Sequence, residues 1–397
     1  MKKKIITLVL SLMLCLGVVP SMTACTKKSD VTVFLMANSI ENAFYKKHFE
    51  SVASEKGFSI GYTGQASANY YRLLRNEINK GKTPDIFYVR PSDIRSFIKD
   101  GLVADISSEL AAYSETLDKV YDSAKDMYKY DPSSKTWGQG GTYAIPKDLS
   151  VQQLGYNKKL INANRSVLYN YYNAPEHAAE KAAMPHFDGG EIKLPWEMDW
   201  ENENYTWSQY KTMAAVLAAN GKALDKETDQ LTAGKIYGCD FPSYELLMWS
   251  FGGTLLSNDL QTVNVQSEAF QKAGKYLAAL VDEGAANYQG ATFDTFTGER
   301  NVCFYGGVNS FDIKNYDDTL GKNQWDIMPW PVADASGEFA PVADATVDTD
   351  KWYGIITSAG YAVSKSCKNK ARAGEVIMTL LDEEVQTSIV AEEKLQL

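Results

Sequence analysis

The sequence is short of histidine, of usable cysteine, of net positive charge and of long apolar runs. Each shortage excludes something. Its three histidines, His48, His177 and His186, keep neither HExxH spacing nor the company of a nucleophile triad. After Cys25 only Cys239, Cys303 and Cys367 remain, far apart and without a CxxC pair. They read as buried small apolar side chains rather than a disulfide framework or a metal site, although one pair could bridge if the fold brought it together. Forty Lys and Arg face fifty Asp and Glu, a formal net charge of −10. An acidic chain with no basic block repels phosphate backbones, so nucleic-acid binding is set aside. No GxxxxGK[ST] loop, internal repeat or low-complexity tract is present. Beyond the N-terminus no run is long and apolar enough to cross a bilayer.

What is present begins with the leader. Lys2, Lys3 and Lys4 precede an apolar stretch from Ile5 to Val19, and small residues follow in "GVVPSMTAC". That order is the layout of a secretory signal peptide over 1–24. Met22-Thr23-Ala24-Cys25 resembles a bacterial lipobox, with Met where Leu is usual. Cleavage before Cys25 would leave its thiol at the new N-terminus, carrying lipid, with 25–30 as a linker. Removing the leader takes three lysines with it and leaves 373 residues at −13. The alternative is an ordinary secreted chain with a cysteine near its cleavage site. So long a chain suits two lobes rather than one core. Aromatic residues make up 12% of the sequence, enough for core and for lining a cleft that meets flat apolar ligand faces.

The hydrophobic pattern alternates strand and helix. Val31–Met36, "FSIGYT" and "TPDIFYV" read as strands. Ile40–Lys56, the stretch with Tyr71, Leu74 and Ile78, and "SDIRSFIKDG" read as helices stopped by Gly57, Gly81 and Gly101. This argues an α/β fold with a mainly parallel sheet. Ser107–Tyr128 is expected to continue as helix. "YAIPKD" opens a second unit. Arg165–Tyr205 reads as an irregular surface insertion, interrupted by Pro175, Pro185 and Pro195. Thr206 and Gln209 form a capping box for the next helix, and a further helix spans about 267–283. "NVCFYGG" and "SAGYAVSK" are strands. "WDIMPWPV" is a strand broken by two prolines, and 370–390 is a last helix.

Several stretches in order carry a resemblance: "KTPDIFYV", "YAIPKDLSVQQLGYNKKLI", "LLMWSFGGTLLSNDLQTVNVQSEAFQKAGKYLAALVDEG", "FTGERNVCFYGG", "WDIMPWPV" and "GYAVSKSCKNKARAGEVIMTLLDEEVQ". Together they resemble the extracellular solute-binding proteins of ABC importers, in the sugar-binding branch that includes maltose-binding proteins. The resemblance covers most of 31–390. It implies a two-lobed periplasmic-binding-protein-like fold of type II, with a ligand cleft between the lobes. By it, 31–144 plus 330–380 form the N-terminal lobe and 146–328 plus 381–397 the C-terminal lobe. Tyr143–Pro146 and "MPWPV" would be the hinge crossings. Two departures stand out: the 165–205 insertion is longer and richer in tryptophan than the family pattern, and the family normally carries a further helical segment after "DEEVQ".

The resemblance also implies the work: capture of a mono- or oligosaccharide and delivery to permease subunits, as a monomer held outside the cell membrane by lipid on Cys25. No cofactor, metal or catalytic residue is expected. A pyranose needs an aromatic plate for its C–H face and charged or amide groups for its hydroxyl edge. The candidates are Asn38 after the first strand, Arg90, Ser92 and Asp93 after the third, and Asp148 after the crossing proline. Trp249, Asn309, Phe311, Trp352 and Tyr353 complete the set. Competing roles stand beside them. Asn38 could cap the Ile40 helix, Ser92 or Asp93 could cap the short helix, and Trp249 could be core. Trp330 reads as hinge packing, and Trp196, Trp200 and Trp207 as pins for the insertion or a roof for the cleft. The alternatives are an exported glycoside hydrolase, whose paired carboxylates would have to come from the solvated "WEMDWENE" loop, and a structural or adhesive surface lipoprotein.

Overall fold

The computed structural model describes residues 29–393 apart from 185–186, 189–190, 258–261, 287–292, 310–312 and 350. The leader, Cys25 and Phe311 lie outside the described residues. In chain order the elements that position the site are β1 (Val31–Met36), α1 (Ser39–Lys56), β2 (Ile60–Gln65), α2 (Ser67–Asn79), β3 (Ile86–Val89) and α3 (Pro91–Lys99). Next come β4 (Ile145–Pro146), β5 (Ser150–Asn157), α4 (Trp207–Asn220), β6 (Tyr237–Cys239), α5 (Tyr244–Ser250) and α6 (Glu268–Asp282). The last are β7 (Val302–Val308), α7 (Ile313–Leu320), β8 (Trp325–Met328), β9 (Ile355–Thr357), β10 (Gly360–Val363), α8 (Lys370–Leu380) and α9 (Glu383–Glu393).

Two sheets carry the two main cores, and a smaller cluster of Phe296, Val302, Val308, Tyr316 and Leu320 also packs on the second sheet. The first sheet runs β2-β1-β3-β10-β4, parallel through β2, β1 and β3 and antiparallel at β10. The inner strands β1 and β3 read as near-continuous apolar runs, as expected where a parallel sheet is covered. Val31, Val33, Leu35, Ile86, Phe87 and Val89 are buried in one core with Tyr45, Tyr70 and Leu74 from α1 and α2. The second sheet runs β6-β7-β5-β8, with β9 also on β5. Leu154 and Tyr156 of β5 pack there with Trp207, Tyr210 and Met213 of α4. The Thr206–Gln209 capping box forms as expected, and Ser267 caps α6 through the Phe270 N–H.

Several expectations need correction. Residues 107–128 break into short turns of helix at 107–110, 111–113, 114–117 and 122–126. Ser107, Ser114 and Asp122 open three of these pieces, in keeping with side chains that compete for backbone groups inside a helix. Arg165–Asn173 is helical, with Leu168 and Tyr172 buried, so the insertion contributes to the second core. Within it Trp196 stacks on Tyr156, and just beyond it Trp207, the first residue of α4, is fully buried. The single last helix is two, parted at Leu381–Asp382, where Asp382 accepts the Glu384 N–H.

The lobe boundaries shift as well. "MPWPV" does not cross. β8 pairs with β5, and Trp330 packs 6.3 Å from Trp207, with its indole N–H on the Gln152 carbonyl. Gly306 leaves room for that ring, since a Cβ there would lie 2.5 Å from it. Phe339 and Val342 join the same core, so 330–342 belongs with the second unit. Residues 381–393, assigned above to the C-terminal lobe, pack on the first core through Leu381, Val385 and Ile389. The return crossing lies between β9 and β10 instead.

Among the described residues Cys239, Cys303 and Cys367 are free and buried. Cys239 pairs in register with Phe304 on the neighbouring parallel strand. Cys303, one residue before Phe304, is buried in the same core as Cys239, and both remain free thiols.

His48 ties α1 to α8: its Nε2 lies 3.0 Å from the Thr379 hydroxyl, and the ring stacks on Phe44. Burial pushes its pKa below the ordinary 6.5, with Asp382 pulling weakly the other way. The unfolded chain thus takes up a proton that the folded chain resists. Stability held above pH 6.5 is lost as pH falls from 6.5 toward the lower folded value. His48→Gln is expected to flatten that part of the melting-temperature profile. A profile with the parent's slope between roughly pH 7 and 5 would discard this source.

Candidate functional site

Open parallel sheets bind ligands beyond the carboxyl ends of their strands. Three such ends in the first sheet carry polar groups. β1 leads to Asn38 and Glu41, β3 to Arg90 and Asp93, and β4 to Lys147 and Asp148. The β4 strand is parallel to β3 because both pair antiparallel with β10.

Asn38 and Glu41 form a reciprocal cap on α1. The Asn38 Oδ1 accepts the Glu41 N–H at 2.9 Å, and Glu41 Oε2 accepts the Asn38 N–H at 2.8 Å. The other Glu41 oxygen lies 3.1 Å from the Lys147 ammonium, which is 3.3 Å from Asp148 Oδ2. The Lys147 and Glu41 side chains are only 11% and 12% exposed. Burial alone would lower the lysine pKa. Tyr45, Asp148 and Glu41 outweigh that and hold it above the ordinary lysine value. Arg90 pairs with Asp93 at 2.8 Å and lies 4.3 Å over the Tyr71 ring. Tyr88 sits among these groups. Burial first, then the Asp148 charge, push its hydroxyl up to about 12, against the pull of Lys147 and Arg90.

Asp148 is already engaged. Between β4 and β5 the partner strand returns from β9 to β10. Pro146 faces Gly360, and Ser150 faces Thr357. The pairing slips by one residue, so Lys147, Asp148 and Leu149 stand against Ser358 and Ala359, the arrangement of a β-bulge. The Asp148 carboxylate stands in for a ladder acceptor: its Oδ1 takes the Ala359 N–H at 2.8 Å, and its carbonyl takes the Ser358 hydroxyl at 2.7 Å. The Lys147 N–H donates to the Ala359 carbonyl at 2.7 Å.

A cavity of about 1010 Å³ opens beside this crossing. Lys147, Asp148, Val151, Gln153 and Asn309 line it, with Tyr121 from the first unit and Ile327 from the second. The Asn309 amide reaches the Gly307 carbonyl at 3.4 Å. On the second unit Trp249 and Tyr353 form a tilted pair 5.9 Å apart, both half-buried against the core, and the Tyr353 hydroxyl donates to the Asp348 carbonyl. Trp352 beside them is exposed. No cluster of three or more His, Cys, Asp or Glu able to hold a metal occurs among the described residues.

The candidates therefore fall into three groups: Asn38 with Asp148 through Glu41 and Lys147, Arg90 with Asp93, and Trp249 with Tyr353. Asn309 shares the cavity wall with Asp148. Phe311 lies outside the described residues. Glu41, Lys147, Tyr71 and Tyr88 went unmarked in the sequence.

A family model for bacterial extracellular solute-binding proteins matches residues 45–392. The chain belongs to this family. A search of curated sequences finds no match. Among solved structures, a substrate-binding protein of an ABC transporter from Listeria monocytogenes, in complex with cycloalternan, is 17% identical. It aligns over 91% of this chain and 78% of its own, with a TM-score of 0.59. A Streptomyces glaucescens receptor determined with acarbose is 18% identical over 92% and 79%, with a TM-score of 0.60. A Thermotoga lettingae solute-binding protein bound to α-D-tagatose is 15% identical over 92% and 80%, with a TM-score of 0.61. At these identities the structures bear on the fold: two lobes of the type II binding-protein class. The family consists of binding proteins and works outside the cytoplasm.

In a solute-binding protein, a carboxylate that closes the interlobe ribbon has a structural task before any ligand arrives. Asp148→Ala removes the acceptor of the Ala359 N–H and one partner of a buried ammonium. Urea unfolding is expected to show a loss of about 1–3 kcal/mol. An unchanged midpoint would free Asp148 from this role.

Proposed function

We propose that this solute-binding protein captures a mono- or oligosaccharide between its two units, as a monomer, and delivers it to the permease subunits of an ABC importer. The observation that carries the reading is the set of polar groups at three strand ends beside the crossing. Carboxylates accept hydroxyl protons, while Arg90 and Lys147 donate to sugar oxygens. Trp249, Tyr353 and exposed Trp352 supply flat apolar faces, and Asn309 an amide. The sugars bound by the Listeria, Streptomyces and Thermotoga proteins support the same ligand class. Contacts to both units would be complete only when they close, so ligand favours the closed population. Lipid on Cys25 would hold the receptor at the membrane beside its transporter, since two acyl chains anchor durably.

Thermal unfolding against a panel of mono- and oligosaccharides tests the ligand class. The right sugar at a hundredfold excess over its Kd should stabilise the protein by about 2.7 kcal/mol. A panel without any shift, alongside shifts from peptides or polyamines, would overturn the sugar reading. For the anchor, Cys25→Ser is expected to move the protein from the membrane fraction to the medium. Retention in the membrane would discard it.

A further inference from the structure

We propose that Lys147 is a positioning residue whose ammonium clamps the bulged crossing to the start of helix α1, and so sets the angle at which the two units rest before ligand arrives. The first core draws on residues up to 145 and again from 359, and the second on 154–342. The described chain thus passes between the cores twice, at 146–150 and at 357–360. Any change in the angle between units must bend those two segments together.

On either side of the crossing the segments are regular ladder, β4 with β10 and β5 with β9. A hydrogen-bonded ladder resists bending in its own plane. At the bulge the regular ladder is interrupted: one backbone bond remains, from the Lys147 N–H to the Ala359 carbonyl, and side chains of Asp148 and Ser358 supply the other links. The bulge is therefore the soft point of the ribbon.

Lys147 spans it. The ammonium reaches Asp148, which holds the Ala359 N–H of the returning strand. It also reaches Glu41, whose other oxygen is locked in the Asn38 cap of α1. One line of contacts thus runs from the first-unit helix, through Glu41, Lys147 and Asp148, to both crossing strands. Tyr45, Tyr88 and Tyr361 stand around it, and Arg90 faces Tyr88 from the side of β3. In this low-exposure setting the ion pairs are screened less than surface pairs. Helix α1 is packed into the first core through Tyr45 and Phe49, so it provides a fixed post.

The inference rests on the two-unit capture reading for its purpose, while its test does not need a sugar. Spin labels on Lys99→Cys and Lys275→Cys, one on each unit and both exposed, report the interunit distance in a Cys25→Ser background. Cys239, Cys303 and Cys367 are buried and stay unlabelled. Without ligand, Lys147→Met and Glu41→Gln are each expected to widen the distance distribution by about half or more. The double variant should widen it no further, because both remove the same link. Lys147→Arg, which keeps the charge, should restore the parent width. Unchanged widths in both single variants, additive widening, or an arginine variant as broad as the methionine one would each overturn the clamp. If Lys147→Met does not fold, Glu41→Gln carries the comparison. With a stabilising sugar added, the parent distribution should narrow to the closed distance. Absence of any such sugar would count against the capture reading and leave the ligand-free comparison intact.

Discussion

The structure depends on how two separately packed cores are joined. Each core buries dozens of apolar side chains and is cooperative within itself. The link between them is a two-stranded ribbon with one bulge, held there by a handful of hydrogen bonds. That disparity in strength lets the units stay rigid while the angle between them varies. It also places Asp148, Lys147 and Glu41 at the point where small energies have large geometric effects. One hydrogen bond or ion pair of about 1 kcal/mol matters little to a core and a great deal to a hinge.

The same arrangement places chemistry beside mechanics. The strand ends that carry Asn38, Arg90 and Lys147 are where a parallel sheet exposes backbone ends and helix starts. In the proposed site the charged groups are already ion-paired: Arg90 with Asp93, Lys147 with two carboxylates. Such pre-paired groups are held in fixed geometry and lose little freedom on binding. Pairing of this kind suits an uncharged, hydroxyl-rich ligand, because the site needs no counter-charge from it.

Much of the first unit was legible because its signals are local. Val31–Met36 is a continuous apolar run, the α1 and α2 faces repeat every turn, and Gly57, Gly81 and Gly101 stop helices with positive φ. The Thr206–Gln209 cap was legible for the same reason. The crossings were only half legible. Pro146 marks one of them. The prolines around Trp330 look like the other, yet the ring is drawn into the second core by Trp207, a neighbour that no local pattern reveals. The second unit's claim on 330–342 and the first unit's claim on 381–393 are tertiary facts of the same kind. In the site, Asp148 was marked as a hydroxyl acceptor, and its bond to Ala359 spans 211 residues. Lys147 went unmarked because a lysine beside an aspartate looks solvated, and its buried partner Glu41 is 106 residues away. A glutamate three residues after Asn38 was the one available hint, since that spacing is a capping box.

The central claim is that two rigid units joined by a soft ribbon close around a small solute. Small-angle scattering on the purified protein, with a sugar whose binding calorimetry has established, tests it most directly. The account predicts a smaller radius of gyration and a shorter maximum dimension in the saturated sample, fitted by rotating the two units about residues 147–149 and 358–359. Superimposable profiles with and without the bound sugar would contradict it.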